Sequence, residues 1–407
     1  MHQQCDYFDA GTCRSCTLLP QPYASQLADK VVHAQGVLGS RAPLEVWAPP
    51  VASAPMGFRN KAKLAVGGRL GDVTLGILDA GGEGLDLRGC GLYEPGLAAL
   101  LPLIATFLND LAISPYDVPS RRGELKYVLV THSPAGSAMV RFVLRSQGEV
   151  ARLRKHLPRL LVAAPSIRVV SANIHPEHKA VLEGDLEIVL TEEADLPMLV
   201  NDITLHLRPR SFFQTNTEVA SALYRQAREW IDELAPRSVL DLYCGVGGFA
   251  FHALERDSAP VKLDSGPGEV VSDSGGRTQP PRRAITGIEV SEDAIACANL
   301  TAAGLGRTAK GPAANPNFRV GDAADLGQFR DAPELIIVNP PRRGIGPELS
   351  TWIERGETEA LIYSSCNVTT MAADLAQMSS MTTATIRLFD MFPNTDHSEV
   401  LALLRRR

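Results

Sequence analysis

The chain has 407 residues, of which 45% are hydrophobic and 21% are charged, and its formal net charge is −6. This composition is typical of a globular protein of two or three domains and excludes collagen, wholesale disorder and a disulfide scaffold. No apolar run reaches the ~18 residues that a membrane span needs, and the N-terminus lacks the features of a secretory signal. We therefore expect a cytoplasmic protein that has no membrane partner.

The chain begins with a cluster of cysteines. Cys5, Cys13 and Cys16 follow the pattern C-x7-C-x2-C, and the next cysteine is Cys90. Thiols spaced this closely in a reducing cytosol indicate metal ligands rather than disulfides. A zinc site usually combines two C-x2–4-C pairs, whereas an iron–sulfur cluster accepts irregular spacing around one such pair. The pattern favours an iron–sulfur cluster, and zinc and unliganded surface thiols are the alternatives.

Residues 1–210 are predicted to form an α+β region with an antiparallel sheet, and residues about 20–50 to pack on the domain that follows. The hydrophobic spacing predicts a hairpin at 58–78, strands at 125–132, 138–145, 167–174 and 186–191, and helices at 22–38, 92–111 and 148–157.

Part of this first region is strongly basic although the whole protein is acidic. From Arg121 to Arg159 there are nine Lys or Arg residues and two acidic residues, and Arg59, Lys61 and Lys63 add positive charge earlier in the chain. The segment is interpreted as a track for the phosphate backbone of a nucleic acid, and solvated faces of strands and a helix are the alternative.

From residue 211 to residue 407, buried strands alternate with helices, which is typical of a doubly wound parallel sheet. Residues 257–283 interrupt this pattern with a run rich in Gly, Ser, Pro and Asp. Such a run cannot bury enough apolar surface to order itself, so we expect a flexible insertion.

A glycine-rich turn follows the first buried strand of this second domain. Asp241 and the glycines 245, 247 and 248 form the pattern D-x3-G-x-G-G, which fits S-adenosylmethionine better than a dinucleotide. Glu289 ends the next strand about 20 positions further on once the insertion is set aside, where a carboxylate can hold ribose hydroxyls. A turn without ligand is the alternative, and Asp322 is a weaker candidate for the adenine edge.

Two further motifs end neighbouring strands at the same edge of the predicted sheet. Asn339 begins N-P-P-R after the strand LIIV, and Cys366 follows the strand ALIYSS. A cysteine at that edge can act as a nucleophile, although a lone cysteine is more often a small buried hydrophobe. His397 and Glu399 open the last strand, and either side chain could serve as a base.

Taken together, the four cysteines, SFFQTN at 211–216, DLYCGVGG at 241–248, VNPPRRG at 338–344, SSCN at 364–367 and HSEV at 397–400 resemble the RNA uracil-5-methyltransferase family over essentially the whole chain. Within that family the chain is most similar to the branch that acts on 23S ribosomal RNA. The resemblance implies a class I S-adenosylmethionine-dependent methyltransferase domain whose last strand is reversed. We also expect the protein to act as a monomer.

The resemblance also implies a role for each motif residue. Cys366 would be the nucleophile that adds to uracil, and Glu399 the base. Many family members carry aspartate at the position of Asn339. Alternatives are a transfer-RNA uridine-C5 methyltransferase and an exocyclic-amine methyltransferase, although the latter favours an aromatic residue where this chain has Arg342. The remaining sites would be a [4Fe–4S] cluster on Cys5, Cys13, Cys16 and Cys90, and S-adenosylmethionine on Gln214, Tyr243, Glu289 and Asn339.

Overall fold

A computed structural model describes residues 4–178, 183–255, 283–308, 316–328 and 332–407. Apart from Arg283, the insertion predicted at 257–283 lies outside these residues. Arg283 itself is buried and donates from Nε to the carbonyl oxygen of Pro236 at 3.0 Å, so it belongs to the folded domain. In the described part of the chain, no helix combines the length and apolarity that crossing a membrane requires.

The first half of the chain builds a seven-stranded sheet in the order β3-β2-β1-β4-β5-β6-β7. Its neighbouring strands are antiparallel except β5 and β6, so the prediction of a wholly antiparallel sheet is wrong at that pair. The cause is helix α4, which returns the chain to the same end of the sheet as a crossover. The elements are α1 Asp6–Asp9, α2 Tyr23–Leu38, β1 Lys61–Arg69, β2 Asp72–Leu78, β3 Gly84–Asp86, α3 Pro95–Leu111, β4 Leu125–His132, β5 Ala138–Leu144, α4 Val150–Ala163, β6 Ile167–Ile174 and β7 Leu186–Val189.

Helices α3 and α4 cover one face of this sheet. Leu64 of β1 is buried in the same core cluster as Leu101 of α3 and Leu153 of α4. Because successive side chains of a strand point to opposite faces, Lys61 and Lys63 lie on the face turned away from both helices.

The second half of the chain forms another seven-stranded sheet, in the order β12-β11-β10-β13-β14-β16-β15. Strand β16 is antiparallel to both of its neighbours, and the other adjacent pairs are parallel, as predicted. A separate hairpin of β8 Leu196–Val200 and β9 Ile203–Leu207 precedes it and was not predicted. The remaining elements are α5 Thr217–Leu234, β10 Ser238–Leu242, α6 Gly248–His252, β11 Ala284–Glu289, α7 Glu292–Thr308, β12 Asn317–Val320, β13 Leu335–Val338, α8 Gly346–Arg355, β14 Ala360–Ser365, α9 Val368–Ala376, β15 Met381–Phe389 and β16 Glu399–Arg406.

The segment between the cysteines and the first sheet contacts the second sheet. Val51 donates its N–H to the carbonyl oxygen of Leu388 at 2.8 Å, so the chain around Val51 runs beside the edge strand β15. Lys30 of α2 contacts Asp390 with 2.6 Å between Nζ and Oδ1, and both side chains are buried. Removing either charge would leave the other buried and unpaired, so this pair fixes α2 against the loop that follows β15.

Candidate active site

A cleft of about 720 Å³ opens at the carboxyl edge of the second sheet. The edge is where parallel strands end and where ligands bind in sheets of this kind. Lys63 of the first sheet reaches the same cleft from its helix-free face. The cleft brings together all six residues predicted for S-adenosylmethionine and catalysis, namely Gln214, Tyr243, Glu289, Asn339, Cys366 and Glu399.

The turn between β10 and α6 has a backbone that demands glycine. Gly245 and Gly247 have φ of 54° and 87°, and Tyr243 also lies in the left-handed region at 60°. A Cβ on Gly247 would lie 2.7 Å from the Phe251 ring, and one on Gly248 would lie 2.5 Å from the Tyr224 hydroxyl. The glycines therefore let the turn pack closely and leave the cleft open above it.

Two acidic side chains support this turn from different depths. Glu289 accepts hydrogen bonds from the N–H groups of Gly245 at 3.2 Å and Ser291 at 3.0 Å, which fixes its carboxylate at the cleft. Asp241 is fully buried beneath the turn and accepts from the N–H of Ala250 at 2.9 Å. Burial raises the pKa of Asp241 to about 8, and the nearby charge of Glu289 adds to the increase.

Gln214 is held by a residue of the first half that the sequence did not single out. Asn60 donates from its side chain to the backbone oxygen of Gln214 at 2.9 Å and from its N–H to that of Thr215 at 2.9 Å. The side chain of Asn60 is buried and also contacts the Thr217 hydroxyl at 2.6 Å. A lone asparagine before a strand carries no signal of this role in the sequence.

Cys366 lies between the end of β14 and the start of α9. Burial raises the pKa of its thiol, the carboxylate of Glu399 raises it further, and the guanidinium of Arg342 lowers it. The backbone oxygen of Arg342 accepts from Asn367 Nδ2 at 3.0 Å and from Thr370 Oγ1 at 3.1 Å. The cysteine loop and the N-P-P-R loop are thereby joined, with Arg342 near the thiol.

Glu399 and His397 differ in burial. Glu399 is 2% exposed. Burial raises the pKa of its carboxyl to about 7, and a hydrogen bond from Ser364 opposes this increase. His397 is at the exposed rim of the cleft, where its Nε2 lies 3.4 Å from Arg342 Nη2. A carboxyl group with a pKa near neutrality beside the thiol is suited to accepting a proton at neutral pH.

The four cysteines predicted to bind the cluster are half-buried free thiols, namely Cys5, Cys13, Cys16 and Cys90. Burial raises the pKa of Cys16 to about 11, and the charges of Cys90, Cys13 and Cys5 add to the increase. The Cys90 loop is joined to α1 because Gly89 donates its N–H to the Tyr7 hydroxyl at 3.1 Å. Among the described residues, however, no group of three or more His, Cys, Asp or Glu side chains stands in an arrangement that could hold a metal ion.

Several side chains of the basic segment 121–159 are used inside the fold. Arg141 is 2% exposed and is paired with Glu183 and Glu187. Arg145 contacts Glu124 with 2.7 Å between Nη2 and Oε1. The exposed cations of α4 lie on the helix-covered side of the first sheet, opposite to Lys63. The interpretation of the whole segment as one nucleic-acid track therefore does not fit the geometry of the cleft.

Comparisons with known proteins agree with this architecture. A family model described as tRNA (Uracil-5-)-methyltransferase matches residues 286–407. The chain is 42% identical over 404 residues to a protein of Pectobacterium carotovorum subsp. carotovorum named 23S rRNA (uracil(747)-C(5))-methyltransferase RlmC, covering 99% of each. It is 43% identical over 404 residues to the protein of the same name from Shewanella amazonensis, covering 98% of this chain and 97% of the relative.

A solved structure shares the fold. It is the Pyrococcus abyssi tRNA (uracil-54, C5)-methyltransferase in complex with S-adenosyl-L-homocysteine, with a TM-score of 0.75 and 23% identity, covering 96% of this chain and 84% of the other.

The sheet order, the single reversed strand and the glycine turn define a class I S-adenosylmethionine-dependent methyltransferase. The identity to the two bacterial relatives extends over nearly the whole chain. This chain belongs to the RNA uracil-5-methyltransferase family.

Proposed function

We propose that this protein transfers a methyl group from S-adenosylmethionine to C5 of one uridine in 23S ribosomal RNA. The observation that carries the proposal is that Cys366, Glu399 and the glycine turn share one cleft in a chain more than 40% identical to enzymes named for this reaction. Their names specify uracil 747, and we propose the equivalent uridine as the target.

S-adenosylmethionine would lie across the carboxyl edge of the second sheet and supplies a methyl group on a positively charged sulfur. Glu289 is oriented by two backbone N–H groups and is suited to the ribose hydroxyls. Gln214, Tyr243 and Asn339 line the same cleft and would complete the binding site.

Uracil C5 is a weak nucleophile, and Cys366 is placed to activate it. Addition of the Cys366 thiolate to C6 moves the C5=C6 electron pair onto C5 and O4 as an enolate. C5 then bonds to the methyl carbon while the carbon–sulfur electron pair leaves with the donor. Burial raises the pKa of the Cys366 thiol, and the guanidinium of Arg342 nearby opposes this rise and so favours the attacking thiolate.

Proton removal completes the reaction, and we assign it to Glu399. Its carboxylate takes the C5 proton, the C5–H electrons re-form the C5=C6 bond, and the C6–S electrons return to Cys366. Glu399 is buried beside Cys366, whereas His397 is at the exposed rim. The buried carboxylate is therefore better shielded from water at the moment of proton transfer.

The RNA would approach along the helix-free face of the first sheet. Lys63 is exposed at the cleft, and Lys61 lies on the same face with its pKa lowered to about 8 by burial and by the charges of Lys63 and Arg141. Phe212 is 69% exposed at the cleft whereas Phe213 is buried. A uridine turned out of its stack would meet Phe212 as a stacking surface and the lysines as phosphate contacts.

We also propose that Cys5, Cys13, Cys16 and Cys90 would hold a [4Fe–4S] cluster. Four thiols are the donor set that such clusters take, and burial together with the charges of neighbouring cysteines of the set raises the pKa of Cys16 and of Cys90. Binding would convert them to thiolates and tie α1 and the Cys90 loop to the segment before α2.

The direct test is methylation in vitro. Purified protein with isotopically labelled S-adenosylmethionine should place label in 5-methyluridine of a 23S RNA fragment, and Cys366→Ala should transfer none while still binding the RNA. A covalent adduct with 5-fluorouridine RNA should form in the wild type and be absent in Cys366→Ala. Label in transfer RNA instead, or normal turnover by the variant, would contradict the proposal.

A further inference from the structure

A buried serine contacts the carboxylate assigned as the base. Ser364 is on β14 and Glu399 begins β16, its antiparallel neighbour, with Ser364 opposite Leu401. Ser364 Oγ donates to Glu399 Oε1 at 2.6 Å, and the two residues are 0% and 2% exposed. Within the part of the chain that the structure describes, no second side chain or backbone group donates a hydrogen bond to this carboxylate.

We propose that Ser364 is a positioning residue, which holds the Glu399 carboxylate toward the C5 proton of the target uracil. The inference rests on the proposed uridine methylation. A carboxylate on the first residue of a strand can rotate about its side-chain bonds, and one short hydrogen bond to a rigid neighbouring strand removes that freedom. Oε1 is engaged by Ser364, which leaves Oε2 as the oxygen that takes the proton.

The Ser364 hydroxyl also affects whether the Glu399 carboxyl group is charged or neutral. A hydrogen bond donated to the charged carboxylate favours that form over the neutral one, and so opposes the effect of burial. Among the described residues, the titratable groups near Glu399 are Cys366 at the end of β14, Tyr224 of α5, and Arg342 and His397, which line the same cleft. Ser364 therefore acts on the proton-removal step, while Arg342 acts on the thiol.

Ser364 should matter for one step of the reaction and not for the others. Adduct formation needs Cys366 and methyl transfer, but 5-fluorouridine has no C5 proton to remove. Loss of the hydroxyl should leave the trapping of 5-fluorouridine RNA within about twofold of the wild-type rate and slow uridine turnover about tenfold at pH 7. On ordinary RNA, the methylated covalent adduct should accumulate because its breakdown is slowed.

The experiment compares Ser364→Thr with Ser364→Val, two variants of nearly equal volume of which only the first keeps a hydroxyl. Wild type and Ser364→Thr should share one pH dependence of uridine turnover, and Ser364→Val should be displaced to higher pH by about one unit. Ser364→Ala should behave like the valine variant and controls for the added bulk.

Equal behaviour of the threonine and valine variants would overturn the proposal. So would a loss in Ser364→Ala that is the same at every pH and the same for adduct trapping as for turnover, since that result would mark a purely structural role. If the wild type itself neither traps 5-fluorouridine RNA nor methylates uridine, the proposed function fails instead, and the two failures are thereby distinguished.

Discussion

At the scale of single residues, burial rather than residue type separates the catalytic candidates. The sequence places His397 and Glu399 two positions apart and leaves the choice of base open from residue types alone. The structure buries Glu399 against Ser364 and leaves His397 at the rim. Sequence could not supply this difference, because it depends on the register between β14 and β16, two strands that no local pattern pairs.

The pKa of Glu399 predicts how proton removal depends on pH. Because burial raises this pKa to about 7, the basic form is lost as pH falls through neutrality and gained as pH rises. Single-turnover release of tritium from C5-labelled uridine in RNA should therefore increase through about pH 7. Glu399→Gln should abolish that increase, slow release about 10²–10⁴-fold and leave the methylated adduct trapped. Release that stays constant across neutrality would contradict the assignment.

At the scale of elements, most strands and helices follow from hydrophobic spacing. The predicted strands at 125–132 and 167–174 have the observed bounds. Two elements differ from the predictions. Helix α4 continues past its predicted end to Ala163 although it contains Pro158, and the strands of the β8–β9 hairpin are too short to show a clear hydrophobic period. The parallel β5–β6 pair follows from the helix predicted between these two strands, which the expectation of an antiparallel sheet did not take into account.

One buried asparagine links the loop before β16 to the N-terminal segments. Asn394 has φ of 66°; its backbone oxygen accepts from the N–H of Leu18 at 3.0 Å, and its own N–H donates to Gln26 Oε1 at 3.0 Å. Its side chain donates to the backbone oxygen of Pro55 at 2.8 Å. The loop that leads to His397 and Glu399 is thus anchored to the segment directly after Cys16.

Substitution of Asn394 should separate its two roles. Asn394→Ala loses the side-chain hydrogen bonds and puts alanine in the left-handed region, which asparagine tolerates better, so we expect it to lower the free energy of unfolding by about 2–3 kcal/mol. Asn394→Gly loses the same bonds without the backbone strain and should lose about 1 kcal/mol less. Chemical denaturation measures both, and equal losses would show that the conformation costs nothing.

The two faces of the first sheet predict a contrast in RNA binding. Lys63→Glu changes a charge at the cleft, whereas Arg154→Glu with Lys155→Glu changes exposed charges on α4, on the opposite side. Lys63→Glu should weaken RNA binding about tenfold and lower its salt dependence, while the α4 variant should change both much less. Filter binding at several salt concentrations measures this. The reverse order would restore the basic segment 121–159 as the RNA track.

At the scale of the whole molecule, net charge is the poorest predictor of function, and the ordered set of motifs is the best. A charge of −6 does not say where the charges lie, and Lys63 reaches the cleft of this acidic protein. The six predicted cleft residues come from both ends of the second domain, and only the shared edge of the sheet brings them together. Asn60 was missed because its contribution is made from the other half of the chain.

The cysteine cluster makes a prediction about the intact protein. Protein purified without oxygen should contain iron and acid-labile sulfide and show a broad visible absorption band, and Cys13→Ser should lose them. Cys297→Ser is a matched control that should keep the iron, because Cys297 is buried in the core of the second domain, far along the chain from the four cysteines. Stoichiometric zinc in place of iron would contradict the assignment.

The central claim is that this protein methylates one uridine of 23S ribosomal RNA. It is tested most directly by mass-spectrometric mapping of 5-methyluridine in the RNA of a strain that lacks the gene, compared with its parent and with strains complemented by the wild type or Cys366→Ala. We predict that one 5-methyluridine of 23S RNA is lost and that only the wild-type gene restores it. Unchanged 23S RNA, with loss of 5-methyluridine from transfer RNA, would contradict the claim.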